Sequence, residues 1–375
     1  MKKDMKKGVS CLPLLAVAAL LGTLTASSVL AQGTAPAPRK LQLTATDDTA
    51  AAEATEVFQH TLAARTDAGA AAKGSDQASF AAQLAARSNG SARSSDDSRG
   101  EGEGRDQLRF PGTLTNFFGG PTLPVTQSHP IFLASPDGTT CPVNTCWGDP
   151  DAFLNDFGRS GLSHVTDQYV GQHADNRYTL GDEFTLPFAP SATPLLDANI
   201  RAIVHAAAQL SGESGPGHIF HVFLPPGQDE CRSSAHTSCY APNGGGNFTF
   251  CAYHSAVRFQ DVGIVLYSVE PFQNVGGCDV RPGTVNGPTV DSTNSTLSHE
   301  LIETITDPLG NAWFNVTSND TFGEEIGDEC QILVIIPSGN QFLIFSDPTE
   351  FRVGRHRFAT QPEWSNEDHA CAIRP

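Results

Sequence analysis

Between Pro194 and Leu210, the apolar residues Leu195, Leu196, Ile200, Ile203, Val204, Ala207 and Leu210 recur at helical spacing, and Gly212 stands just beyond them as a stop. Around that helix the apolar runs are short and of strand length. Pro130 to Ala134, His218 to Leu224, Phe248 to Val257 and Val262 to Val269 read as strands, the second stopped by Pro225 and Pro226. Asp149 to Phe157 reads as a short helix, and Thr296 to Thr306 as another. Gln331 to Ile336 and Gln341 to Phe345 flank Pro337-Ser338-Gly339-Asn340, a hairpin signal. No internal repeat is visible. The order predicts an α+β domain of mixed strands and helices that closes with a hairpin.

The chain before this domain has a different character. Lys2, Lys3, Lys6 and Lys7 precede an apolar run from Val9 to Leu30, and Val29-Leu30-Ala31 offers small or neutral residues to a signal peptidase. Residues 1–31 therefore read as an export signal, with an uncleaved anchor as the alternative. Residues 32–105 are rich in Ala, Ser, Thr, Gly and Asp and poor in large apolar groups. Such a stretch buries little surface against its ordering entropy, and it reads as a linker or pro-segment with short helices over 51–64 and 78–86. The single globular domain is expected over 106–375.

Export changes how the cysteines are read. Cys11 leaves with the signal, and Cys141, Cys146, Cys231, Cys239, Cys251, Cys278, Cys330 and Cys371 remain. An even set in an oxidising compartment predicts up to four disulfides of open connectivity, with Cys141 and Cys146 close enough for a local loop. No paired C-x-x-C units suggest a thiolate zinc site. The formal net charge is −18; the signal would take away four lysines and one aspartate and leave about −21. Phosphate backbones would be repelled, which excludes a nucleic-acid partner. No later apolar run is long enough to cross a bilayer.

The segment Ser298-His299-Glu300-Leu301-Ile302-Glu303 carries the strongest chemical signal. On a helix, residues four apart share a face, so His299 and Glu303 can offer lone pairs to one cation with Glu300 beside them. This is the layout of the H-E-x-x-H zinc helix with its second histidine replaced by glutamate. Asp307 before Pro308 should end the helix. Downstream, Gly323 to Cys330 is acidic. Asp328 is the favoured third ligand, because Gly327 permits close backbone approach and Cys330 can pin the turn. Glu324 and Glu325 are substitutes, and Asp307 and His254 are weaker candidates. In such a site a metal-held water loses a proton to the glutamate, here Glu300. Zinc fits this donor set, and calcium is the alternative, although it prefers six to eight oxygens.

Other chemistry is less well supported. His218 and His221 are three apart and face opposite sides of a strand. His254, beside Cys251, is otherwise a packing histidine. Gly-x-Ser-x-Gly and P-loop patterns are absent. Trp147, Trp313 and Trp364 are candidates to line a sugar-binding groove, or else core residues.

Several ordered pieces resemble the exordium, or phosphate-induced, protein family of plant cell walls and its bacterial secreted relatives. They are Val222-Phe223-Leu224, Phe250-Cys251 with His254, the strand from Val262 to Val269 leading to Cys278, Thr306-Asp307-Pro308-Leu309-Gly310-Asn311, and Glu325 shortly before Cys330. Phe118-Gly119-Gly120-Pro121 and Phe153-Leu154-Asn155-Asp156 look like the family's opening, and Trp364-Ser365-Asn366 before Cys371 like a bacterial ending. The resemblance covers most of 110–375. It implies an extracellular, wall-associated protein without an established reaction. The plant pattern lacks the His299-Glu300 pair and Glu303, and has Asn where Asp307 stands. The His299-to-Glu303 motif with its acidic follower instead looks like a zincin metallopeptidase site. Together these imply a zincin-like core, a mixed sheet packed on an active-site helix. The expected activity is that of a secreted zinc metallopeptidase-like hydrolase acting on extracellular peptide or cell-wall material. The alternative is a non-catalytic exordium-like binding protein.

Overall fold

Strand His218–Phe223 lies at the centre of the fold because both of its faces are apolar or buried, the signature of an interior parallel strand. It belongs to an eight-stranded mixed sheet in a computed structural model. The structure describes residues 37–63, 113–135, 141, 146–187, 194–280, 285–315, 325–335, 341–345 and 348–375. The expected signal (1–31), the helix over 78–86, the turn 337–340 and Glu324 lie outside these residues.

The sheet strands are β1 (Arg39–Lys40), β2 (Thr55–Ala63), β3 (Thr126–Leu133), β4 (Tyr178–Leu180), β5 (Phe184–Leu186), β6 (His218–Phe223), β7 (Phe250–Phe259) and β8 (Gly263–Glu270). The helices are α1 (Ala45–Glu53), α2 (Pro150–Phe157), α3 (Gly161–Val165), α4 (Asp167–Val170), α5 (Asp197–Ser211) and α6 (Pro288–Thr306). The strand order is β1-β5-β3-β6-β8-β7-β2, with β4 also beside β3. β1, β5, β3, β4, β6 and β8 pair in parallel, whereas β7 runs antiparallel to both β8 and β2. This is the mixed α+β architecture expected.

Helix α5 lays Ile200, Ile203, Val204 and Ala207 on one face of the sheet, against Ile131, Phe220, Val222, Val257 and Tyr267. Its end is set by Gly212, left-handed at φ 77°, whose N–H reaches the Ala208 carbonyl. Helix α6 covers the other face with Leu297, Leu301, Ile302 and Ile305 against Ile219, Phe223, Ala256 and Leu266. It starts with Pro288 in its first turn, eight residues before the expected start at Thr296. The early turns are Thr- and Ser-rich and carry no apolar period. Hydroxyls along the helix instead donate to its own carbonyls, Thr293 to Thr289, Ser298 to Ser295, Thr304 to Glu300 and Thr306 to Ile302, while those of Ser292 and Ser295 accept from the Val280 and Gln361 N–H groups. Every residue from Asp291 to Thr306 is buried, because the hairpin Thr349–Val353/His356–Thr360 packs over the helix from outside.

The stretch 32–105, expected to be a linker or pro-segment, is corrected for its described part. Arg39–Lys40 extends the sheet at one edge and Thr55–Ala63 forms the other. The helix expected over 51–64 ends at Glu53, and a strand follows. Composition misled because an edge strand is held by its ladder to β7 and needs few apolar anchors, here Phe58 and, beside β1, Leu41. The four disulfides are Cys141–Cys146, Cys231–Cys239, Cys251–Cys278 and Cys330–Cys371. Among the described residues no helix is long and apolar enough to cross a membrane. The groove expected from the three tryptophans is not formed: Trp147 and Trp364 are buried in the core with Phe132, Phe223 and neighbours, and Trp313 donates to the Tyr169 carbonyl.

Candidate metal centre

Strand alternation places a polar row on the sheet face beneath α6. His221, Ser268, His254 and His60 are cross-strand neighbours in register over β6, β8, β7 and β2. Ser128 on β3 and Glu270 at the end of β8 extend it: His221 bridges the hydroxyls of Ser268 (2.8 Å) and Ser128 (3.1 Å), and Ser268 donates to Glu270 (2.7 Å). His254 and His60 at the other end meet the acidic face of α6.

There the expected ligands converge. His299 Nε2 is 3.0 Å from Glu303 Oε1 and 3.8 Å from Asp328 Oδ1. The second Glu303 oxygen faces His254 Nε2 at 3.5 Å, and that same nitrogen is 3.5 Å from Glu325 Oε2. His60 Nε2 holds the other Asp328 oxygen at 2.6 Å, and its Nδ1 is 3.7 Å from Glu325. Ligand atoms of His254, Glu300 and Glu303 lie within 4.8 Å of one another, as do those of His60, Glu303 and Asp328. The Asp328 turn is tied down by Cys330–Cys371. Gly327 packs flat on the His299 ring; a Cβ there would lie 2.2 Å from Nδ1. Gln361 clamps the same corner, its amide nitrogen 2.7 Å from the Gly327 carbonyl and 3.0 Å from His299 Nδ1.

The remaining candidates are placed differently. Asp307 accepts from the N–H groups of Asn311 (2.7 Å) and Ala312 (2.8 Å) and so closes the turn after α6. His254, weighed in the sequence mainly as a packing residue, points into the cluster. His60 was missed, because it lies in the stretch read as linker; the β-branched and aromatic run Thr55-Glu56-Val57-Phe58 was the available signal. Glu270 and Glu363 were missed as well; both are buried carboxyls near α6 that burial pushes above their ordinary range.

This centre is electrostatically incomplete as protein alone. Both oxygens of Glu300, Glu303 and Glu325, Nε2 of His299 and both ring nitrogens of His254 are buried and lack hydrogen bonds. Burial, then Glu303 and Glu270, pushes the Glu300 carboxyl well above its usual range. Burial raises Glu325 too, opposed by His60 and reinforced by Asp307 and Glu303. Glu270 is raised to about 7 by burial, although the Ser268 hydroxyl, His299 and His254 pull it down. For Glu303 burial works upward, but His299, His254 and His60 outweigh it and hold the group below its ordinary value. Burial alone would lower His60; Asp328 and Glu325 outweigh it and lift the ring to about 10. Buried carboxylates without donors are costly unless a cation or protons answer them. A zinc-class cation fits: imidazole and carboxylate donors converge with their lone pairs unused. Calcium fits less well, because three imidazoles occupy the positions its oxygens would need.

Comparison of the chain with family models, with curated proteins and with solved structures finds no match in any of the three.

Proposed function

We propose that this protein is a secreted zinc-dependent hydrolase of metallopeptidase type. The observation that carries the reading is the convergence of His299, Glu303 and Asp328, with unpaired Glu300 alongside, at one buried point. His299, Glu303 and Asp328 would hold the cation. When bound, zinc would supply a Lewis acid that polarises a carbonyl and lowers the pKa of water. Glu300 is the proton acceptor. Its raised proton affinity suits transfer near neutral pH once a neighbouring cation offsets the surrounding carboxylates. His60 orients Asp328 by holding one of its oxygens, and Gln361 orients His299 through Nδ1, the supporting contacts that fix metal ligands. Ligation through Nε2 needs the proton on Nδ1, so Gln361, whose amide nitrogen faces Nδ1 while donating to the Gly327 carbonyl, must give up that bond and turn its amide oxygen to the ring. The zincin-like helix supports peptide or wall material as substrate. The four disulfides and the exordium-like motifs support a place outside the cell.

Elemental analysis of the purified chain, paired with hydrolysis of a fluorogenic peptide library, tests the reading. We expect bound zinc, one equivalent of which is lost in His299→Ala, and hydrolysis that is lost in Glu300→Gln with zinc retained. Absence of zinc, or unchanged hydrolysis in Glu300→Gln, overturns it.

One observation favours a second reading. His299, Glu300 and Glu303 are fully buried, and only His60 and Asp328 reach the surface, at 15 % and 13 % side-chain exposure. A cation there with no catalytic turnover would make the centre structural, in an exordium-like extracellular binding protein. Stoichiometric metal with a melting temperature that collapses on chelation, and no hydrolysis by the wild type, is the result that selects it.

A further inference from the structure

The opposite face of the sheet carries a second set of metal-ligand side chains. Along β6, Phe220 and Val222 face α5 while Ile219 and Phe223 face α6, so His218 lies on the α5 side. On β3, Ile131 and Leu133 face α5, which puts His129 on that side too. The pairing of Gln127 with His218 makes His129 and His218 diagonal neighbours. Glu213, just past the α5 stop at Gly212, reaches back to the same spot.

His129 is fully buried and stacks on Phe220, with ring centroids 5.0 Å apart. Its Nδ1 is 3.3 Å from the Asp182 carbonyl. A carbonyl only accepts, so this contact puts the proton on Nδ1 and leaves a lone pair on Nε2. That lone pair faces His218 Nδ1 at 3.1 Å and Glu213 Oε2 at 3.4 Å. A proton on His218 Nδ1 can serve the first contact. The second then sets a carboxylate oxygen against a lone pair, and Glu213 Oε2 is buried with no hydrogen-bond partner. All three ligand atoms lie within 4.8 Å of one another. A tetrahedral zinc with bonds near 2.0–2.1 Å holds its ligand atoms roughly 3.3–3.5 Å apart, close to the two separations seen here. Gly181 allows the ring its place, since a Cβ there would lie 2.2 Å from Cε1.

We propose that His129, Glu213 and His218 form a second site for a zinc-class divalent cation, independent of the α6 centre. Two imidazoles and one carboxylate suit zinc better than calcium or magnesium. Glu213 and His218 are partly exposed, so the ion has a route from solvent. Once bound it would tie the end of α5 to β3 and β6.

The test is a zinc titration of the full chain, with cobalt(II) as a spectroscopic stand-in. In a His299→Ala/Glu303→Gln background, which disables the α6 centre, we expect one equivalent of zinc to remain. Glu213→Gln and His218→Ala should each weaken that equivalent at least about tenfold, and Gly181→Ala should do the same by displacing the imidazole. If the background chain does not fold, the same substitutions are made singly in the wild type. There each should remove one equivalent and part of the cobalt absorption while leaving peptide hydrolysis unchanged. Folded chains, checked by circular dichroism, whose zinc stoichiometry and affinity do not respond to Glu213→Gln or His218→Ala overturn the proposal. So does a background chain that binds no zinc.

Discussion

The two faces of the central sheet differ in how far the protein itself answers its buried charge. Under α5, Asp197 is answered by protein: Arg201 Nε donates at 2.6 Å, and the Tyr253 and Tyr267 hydroxyls donate at 2.8 and 2.7 Å. Under α6, Glu300, Glu303 and Glu325 have no such donors and crowd one another. Asp197 is thus neutralised within the protein, although Glu230 and Glu213 on the same side each keep one buried oxygen without a hydrogen bond. The α6 side gathers three such carboxyls, of which only Glu303 is drawn below its ordinary range by neighbouring imidazoles, and the geometry there suits a cation. Charge burial is thus a better pointer to the site than any cavity: the pocket lined by Lys40, Leu41 and Asp47 lies on the α5 side, with none of this chemistry.

The largest effect that would sharpen this contrast is catalytic. Glu300→Gln should lower peptide hydrolysis about 100- to 10,000-fold, with metal content near that of the wild type; a rate within a few-fold of normal would remove Glu300 as proton acceptor. Next, Ile203→Ala on the α5 face should cost about 2–5 kcal/mol in denaturant unfolding. Measured in a Glu213→Gln background, which lacks the cation proposed on the α5 side, that loss should be the same with or without a chelator, because the two faces are separate. A loss that depends on metal would break the comparison. Opening Cys330–Cys371 by Cys371→Ser should cost roughly 2–4 kcal/mol and also weaken zinc retention, since the bridge holds the Asp328 turn; unchanged zinc affinity would separate that turn from the centre.

The smallest effect is in the pH profile. In metal-free protein, Glu270 titrates at about 7 rather than 4.5, and His60 at about 10 rather than 6.5. At these two groups the folded chain therefore binds more protons than the unfolded chain, whereas buried His129 and His221, lowered to about 4 and about 3, bind fewer below about 6.5. The stability that Glu270 and His60 contribute then falls as pH rises from about 4.5 to 10. Metal-loaded protein should run the other way below neutrality, because ligands must shed protons to bind. Melting curves with and without chelator should diverge as pH rises from 5 to 8. Parallel curves would argue that no cation answers these groups.

Much of the helix-borne part of the site was legible in the chain. His299 and Glu303 share a face because they are four apart, and Asp307 before Pro308 ends the helix by leaving the helical region, at φ −144° and ψ 64°. Gly327 read correctly as a point of close approach. The sheet-borne part was not legible. His60 and His254 lie almost two hundred residues apart in sequence, yet they are register partners on neighbouring strands, and a register is set by which strands pair. The early turns of α6 escaped for a related reason: nothing apolar marks them, and their burial comes from the hairpin laid over them.

Local order determined what depends on neighbours in sequence. The apolar period made α5, glycine and proline placed the stops, and the i to i+4 spacing paired His299 with Glu303. Even the even count of cysteines carried information before any pairing was known. The tertiary structure alone decided which distant groups share a desolvated volume. It turned an apparent linker into an edge strand bearing His60, gave Glu303 a second imidazole, and brought His129, Glu213 and His218 together. The physical reason is that ligation and charge burial depend on distances of a few ångströms in space, and chain separation says nothing about these once strands cross over.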